Sequence, residues 1–155
     1  MTRNTIVSYT LRAARETDAA AIKQLIRTVG INPMDLDWRR FTVAVDAQDQ
    51  VLATGQIKPH QKGAIQELAS IAVLEEHRGQ GLARAIIEQL LEDSPRPLYL
   101  TCRSRLQPFY QKFGFQSLSY PEMPRFYQRL SKLAGIFITI TRQDEADGLS
   151  VMKLQ

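Results

Sequence analysis

The stretch that most constrains this chain runs from Glu67 to Asp93, where one periodicity gives way to another across two glycines. Glu67 to Leu74 is a nearly continuous apolar run containing Ile71 and Val73, as expected of a short strand covered on both faces. From Leu82 onward Ala83, Ile86, Ile87, Leu90 and Leu91 recur at three- and four-residue spacing, which makes one wide helical stripe facing a core. Between the two lies Arg78-Gly79-Gln80-Gly81-Leu82-Ala83. The first turn of a helix carries backbone N–H groups without intrahelical partners, and the helix dipole adds partial positive charge there. Glycines let a phosphate approach the backbone closely, and Arg78 and Arg84 stand ready to supply full charges. A phosphate or pyrophosphate ligand is the functional reading of this turn; a plain strand-to-helix connection with a solvated Arg78 fits the two glycines equally well.

Two nucleotide classes are excluded or weakened. A Walker loop needs Lys and then Ser or Thr after its second glycine, and Leu82-Ala83 stand there instead. The dinucleotide fingerprint needs glycine or alanine at position 84, which is Arg84.

A chain of 155 residues, 44% hydrophobic and 23% charged, suits one domain spanning 1–155 with a core of its own. No apolar run approaches the roughly 20 residues of a membrane span, and the N-terminus lacks a signal-peptide core, so a cytoplasmic protein is expected. The single cysteine, Cys102, rules out an internal disulfide framework, and with only His60 and His77 beside it no metal site is expected. The net charge of +4 fits an anionic small ligand and also nucleic acid. The arginines are scattered without a basic tail or aromatic-interleaved block, so nucleic acid is the minor hypothesis.

Taken in order, Tyr9 to Ala13 reads as a strand, with Thr17 as N-cap of a helix whose face holds Ile22, Leu25, Ile26 and Val29 and which ends at Gly30. Residues 31–40 are too irregular to assign. Phe41 to Val45 and Val51 to Lys58 form a hairpin about a polar turn, and Pro59 to Gly63 turns into the strand carrying Glu67, so that three antiparallel strands precede the glycine turn. Ser94-Pro95-Arg96-Pro97 breaks the central helix before a strand at Leu98 to Cys102, which suggests a right-handed parallel crossover. Pro124 starts a helix carrying Phe126, Leu130 and Leu133 that is expected to end at Ala134-Gly135. Ile136 to Thr141 and Leu149 to Leu154 then read as a closing hairpin about Arg142 to Gly148.

Arg78-x-x-Gly81-x-Ala83, after a strand ending in Ala72-Val73, resembles the acetyl-coenzyme A signature of the GNAT superfamily of N-acetyltransferases. Phe109-Tyr110-Gln111-Lys112-Phe113-Gly114-Phe115, about thirty residues downstream, resembles that family's tyrosine-containing helix and Gly-Phe strand start. The likeness spans roughly Phe41 to Phe115. Glu67 to Val73 and Leu98 to Thr101 show a weaker similarity to the acetyltransferase domain of N-acetylglutamate synthases.

The resemblance implies an α/β (α+β) fold, with a mixed, mostly antiparallel central sheet of about seven strands flanked by helices on both faces. It implies acetyl-CoA as acyl donor. The backbone of Ile71, Ala72 and Val73 would pair with the pantetheine arm, and the amides of Arg78, Gly79, Gln80, Gly81, Leu82 and Ala83, with Arg84 beside them, would hold the pyrophosphate. A backbone N–H near Val73 would face the oxyanion. Glu67 resembles the carboxylates that take the amine proton, and Tyr110 the tyrosine that protonates the departing thiolate. An asparagine often found after the fifth strand has no clear match; Ser104 and Gln107 are the substitutes. Trp38, Arg39 and Arg40 fall in the region that covers the acceptor, where the arginines would meet an acceptor carboxylate; a packed Trp beside two solvated arginines is the plainer reading. Cys102 as an acetyl-cysteine nucleophile, or His60 or His77 as the base in place of Glu67, are weaker readings.

The expected function is transfer of an acetyl group to a primary amine of a small molecule or amino acid, by direct attack in a ternary complex. A protein lysine or N-terminal acetyltransferase, or a non-catalytic acyl-CoA sensor, is the alternative. The segment from Gln116 to Gly135 is longer than a minimal family member needs, and serves either the acceptor pocket or a homodimer contact.

Overall fold

The computed structural model describes residues 7–141 and 148–155, with side chains described outside 134–147. The chain order is β1 (Thr10–Ala13), α1 (Ala19–Val29), β2 (Phe41–Val45), β3 (Val51–His60), β4 (Ile65–Val73), α2 (Leu82–Asp93), β5 (Leu98–Arg103), α3 (Gln107–Gln111), β6 (Gln116–Ser117), α4 (Arg125–Thr141) and β7 (Leu149–Leu154). The seven strands are hydrogen-bonded in the order β1-β2-β3-β4-β5-β7-β6. β1 with β2, β2 with β3, β5 with β7 and β6 with β7 are antiparallel, whereas β4 and β5 run parallel with Glu67 opposite Tyr99. This is the mixed, mostly antiparallel sheet that the strand pattern and the family resemblance predict.

The chain packs as two compact units. The first contains β1 to β3, α1, α2 and β4 from Leu68. Its strands alternate between two apolar clusters, because successive side chains of a strand point to opposite faces. Phe41, Val43 and Val45 of β2, with Ala72 of β4, pack against Ile22, Leu25 and Ile26 of α1. Ala44 of β2 and Ala53 of β3, with Ile71 and Val73, pack against Leu82 and Ile86 of α2. The two helices therefore cover opposite faces of this part of the sheet.

Two local devices fix α1. Gly30 takes a left-handed conformation, φ 79°, and its N–H reaches the Ile26 and Arg27 carbonyls, which ends the helix where the sequence predicts. The start differs from expectation. Thr17 is not the N-cap, since Glu16–Asp18 form a short 3-10 turn and the buried Asp18 carboxylate accepts the Arg15 N–H at 2.7 Å. That carboxylate also takes Arg12 at 2.7 Å, and the guanidinium holds it below the usual carboxylate range.

The second unit contains Ile65 to Glu67, β5, α3, β6, α4 and β7. β5 and β7 pair over six residues from Leu98↔Leu154 to Arg103↔Leu149. Ile65, Tyr127 and Val151 form its buried cluster, with Tyr99, Leu118, Met123 and Phe126 around them. Three expectations fail here. α4 does not end at Ala134-Gly135 but runs to Thr141, so Ile136 to Thr141 is helix and forms no hairpin with β7, whose partners are β5 and β6. The run of alternating isoleucines favours a strand on propensity and Gly135 reads as a stop, but a single interior glycine costs a helix only about 1 kcal/mol. The turn expected from Arg142 falls, up to residue 147, outside the described residues. Leu130 and Leu133 are exposed at 36% and 65%, and among the described side chains of α4 the buried one is Tyr127. Among the described residues, no helix is long and apolar enough to cross a membrane.

Gly55 shows how closely α2 is held. A Cβ at this position of β3 would lie 2.6 Å from Ile86 Cγ2 and 2.7 Å from Ile71 Cδ1. Gly55→Ala is expected to lower stability by about 1–3 kcal/mol through overpacking. A chemical-denaturation midpoint equal to the wild type's would contradict this packing.

Candidate functional site

The glycine turn is built as its sequence suggests. β4 ends at Val73, Glu75–His77 make a single 3-10 turn, and α2 begins at Leu82, whose buried side chain anchors the first helical turn. Gly79 and Gly81 have φ of 76° and 82°, in the left-handed region that favours glycine, and open space faces both. No side chain caps α2, and its first turn holds no acidic residue. The helix N–H groups that a protein carboxylate or hydroxyl would ordinarily satisfy are left for an outside acceptor. Arg78 is exposed; Arg84 is exposed and pairs with Glu88 at 2.8 Å, and the Gln80 side-chain Oε1 accepts the Val7 N–H at 3.1 Å. Such an end, with the exposed Arg78 beside the amides of 79–83, has the chemistry of an anion site.

The strand leading to the turn is bent at one residue. Ser70, buried in the middle of β4, has φ 57°, an uncommon conformation for a non-glycine residue. A buried polar layer from β3 accompanies it: Thr54 Oγ1 donates to the Ser70 carbonyl at 3.0 Å, and Gln56 Nε2 donates to Ser70 Oγ at 2.8 Å. Both donors are fully buried. Beyond Ser70, Ile71 and Val73 are half-buried and Ala72 is buried against the α1 face.

In the second unit, Glu67 is buried at 9% exposure and its carboxylate accepts a 2.5 Å hydrogen bond from Tyr127 Oη. Burial, and then the Glu67 charge, raise the Tyr127 hydroxyl well above the usual tyrosine range, so it stays a donor. Tyr127 was not legible in the sequence, where Phe126 took its place on the helical stripe. Its only signal was position, one residue along from Phe126.

Tyr110 lies on α3, buried among Phe109 and Phe115 in edge-to-face contacts. Burial, and then Cys102, push its hydroxyl up to about 12, and no hydrogen-bond partner is recorded for it among the described residues. It is a protonated donor across the neutral range. Ser104 and Gln107 are committed elsewhere: Ser104 Oγ donates to the Gly148 carbonyl at 2.8 Å and lies 2.9 Å from Ser150 Oγ, and Gln107 Nε2 donates to Ser150 Oγ at 2.6 Å. They tie the end of β5 to β7. Cys102 is buried, with Sγ 3.9 Å from Met152 Sδ.

Among the acceptor candidates, Trp38 packs on the α1 cluster, and the Arg39 guanidinium lies 4.9 Å above its ring. Arg39 pairs with Asp37 at 3.3 Å, and Arg40 with Asp35 at 3.0 Å. Both arginines thus already carry a carboxylate. His60 closes β3 and His77 sits half-buried in the 3-10 turn.

The model of the acetyltransferase (GNAT) domain family matches residues 37–117, just over half of the chain, and the chain belongs to that family. Its fold is similar to that of N-acetylglutamate synthase from Neisseria gonorrhoeae, solved with coenzyme A and N-acetyl-glutamate. The TM-score is 0.70 at 16% identity, over 96% of this chain and 35% of the synthase. This chain therefore spans about a third of that protein's length. Rv2747 from Mycobacterium tuberculosis, solved with CoA, gives a TM-score of 0.67 at 21% identity over 94% of this chain and 98% of that one. An acyl-CoA N-acyltransferase from Pseudomonas aeruginosa gives 0.63 at 17% identity over 96% and 99%. No curated protein matches the sequence.

Tyr127→Phe removes the hydroxyl that donates to Glu67 from α4. It is expected to cost about 1–3 kcal/mol, the loss for a buried hydrogen bond to a charged group, read in chemical denaturation at neutral pH. An unchanged midpoint would show that the contact contributes nothing.

Proposed function

We propose that this chain moves an acetyl group from acetyl-CoA to the primary amine of a small molecule or amino acid, by direct attack in a ternary complex. The observation that carries the reading is the uncapped, glycine-flanked start of α2, shaped for a pyrophosphate. In this reading Ile71, Ala72 and Val73 pair with the pantetheine arm, and a backbone N–H near Val73 meets the oxyanion. Coenzyme A bound to two proteins of similar fold, and N-acetyl-glutamate bound to one of them, support the choice of ligands.

The chemistry needs a neutral amine, a stabilised tetrahedral oxyanion and a proton for sulfur. Glu67 takes a proton from the amine as nitrogen attacks the thioester carbon. The C–N bond forms, the C–S bond breaks, and the thiolate takes the Tyr110 hydroxyl proton. Burial keeps Tyr110 protonated, and the hydrogen bond from Tyr127 orients the Glu67 carboxylate. A buried Cys102 argues against a covalent acetyl-enzyme. Arg40, with Trp38 and Arg39 beside it, is the candidate lining of the acceptor region.

The test is acetyl transfer to a panel of primary amines. Glu67→Gln and Tyr110→Phe are each expected to lower kcat by about a hundredfold or more while acetyl-CoA still binds. Since the Tyr110 hydroxyl is pushed up rather than down, no alkaline loss assignable to it is expected near neutral pH. Wild-type kcat in both variants would sink the assignments.

A further inference from the structure

We propose that Gln80 is a positioning residue of the anion turn, its side chain fastening Gly79 to Gly81 to the segment ahead of β1 before any ligand arrives. The inference rests on the acetyl-transfer reading and deepens it, since the ligand concerned is the pyrophosphate of acetyl-CoA. Gln80 stands between two left-handed glycines, with φ of 76° before it and 82° after it. Among the described residues, backbone hydrogen bonds hold this turn at its two ends. The Arg78 N–H donates to the Glu75 carbonyl at 3.2 Å, and the Ala85 N–H to the Gly81 carbonyl at 3.0 Å. Glycine loses more backbone freedom on ordering than any other residue, so a turn with two of them needs a further restraint to hold one shape.

That restraint comes from a distant part of the chain. Gln80 Oε1 accepts the Val7 N–H at 3.1 Å, across 73 positions of sequence. Val7 is itself anchored. Its side chain is half-buried against the cluster that holds Leu82 and Ile86 of α2, and three residues on, Thr10 begins β1 opposite Val45 of β2. Residue 80 is thus tied through its side chain to the sheet and to the core under α2, while the buried Leu82 fixes the next turn of backbone.

A carboxamide suits this task. Its Oε1 gives the acceptor that a backbone N–H needs without bringing negative charge to an anion site, whereas a glutamate there would bond Val7 and repel phosphate. With the turn ordered in the free protein, less conformational freedom is lost when the anion binds, so affinity rises without a new contact to the ligand.

The experiment compares the wild type with Gln80→Met, which keeps the size and loses the acceptor, and Val7→Pro, which removes the donor. Gln80→Glu keeps an acceptor and Val7→Ala keeps the donor. Two quantities are read: the NMR order parameters of the Gly79 and Gly81 amides in the free protein, and the Kd of acetyl-CoA by calorimetry. In Gln80→Met and Val7→Pro the order parameters are expected to fall below the rigid value of about 0.85, and in Gln80→Glu and Val7→Ala to stay at the wild-type level. The Kd rises about three- to tenfold in Gln80→Met and by the same factor in Val7→Pro, with no further rise when the two are combined. If Val7→Pro does not fold, the order parameters of Gln80→Met against Gln80→Glu decide alone. Order parameters unchanged in Gln80→Met overturn the proposal. So does a Kd raised by Gln80→Met and not by Val7→Pro, which would place Gln80 directly on the ligand, and so do effects that multiply in the double variant. A turn loosened by Gln80→Met in a chain that binds no acetyl-CoA keeps the tether and removes the acetyl-transfer reading.

Discussion

Much of the first unit depends on how closely α2 approaches β3. At Gly55 there is no room for a Cβ, and Ile86, Ile71 and Leu90 close over the bare backbone. Such proximity fixes the helix along its length, with Leu82 buried at one end and Ile86 and Ile87 in the middle. Protein interiors pack at crystal-like density, so a helix seated this tightly cannot slide or tilt to suit a ligand. Its N-terminus is therefore presented at a fixed place. With no side chain capping it, the partial charge there is available to an anion without rearrangement.

The same economy governs β4. One residue, Ser70, carries a backbone conformation that side chains rarely adopt, and two fully buried polar groups of β3 bond to it. Strain of this kind costs of order 1–3 kcal/mol and persists only where the surroundings over-determine it. Thr54 and Gln56 are those surroundings. In the second unit the corresponding device is the hydrogen bond from Tyr127 to Glu67, which holds a buried carboxylate in one orientation. Both devices fix polar groups that an apolar core of equal volume would not need.

The central motif was legible because its physics is local. The switch of period from β4 to α2, the left-handed glycines, and Gly30 at the end of α1 each follow from a few neighbouring residues. Failures occurred where tertiary context decides. Ile136 to Thr141 has the composition of a strand and lies in a helix, and Thr17 lost the capping role because Asp18 bonds further back to Arg15. Neither Tyr127 beside Glu67 nor Gln56 beside Ser70 was legible, since pairs 60 and 14 residues apart leave no spacing signal. Ser104 and Gln107 looked available for a ligand and are occupied by β7, for the same reason.

The most direct measurement of the central claim is thermal unfolding with acetyl-CoA, using adenosine diphosphate and double-stranded DNA as comparisons. At a hundred times its Kd, a ligand that binds only the folded chain stabilises it by about 2.7 kcal/mol. The structure predicts that gain with acetyl-CoA, a smaller one with adenosine diphosphate, which fills only the pyrophosphate turn, and none with DNA. No shift with saturating acetyl-CoA would contradict the account, because the acyl donor and every role assigned around it would go together.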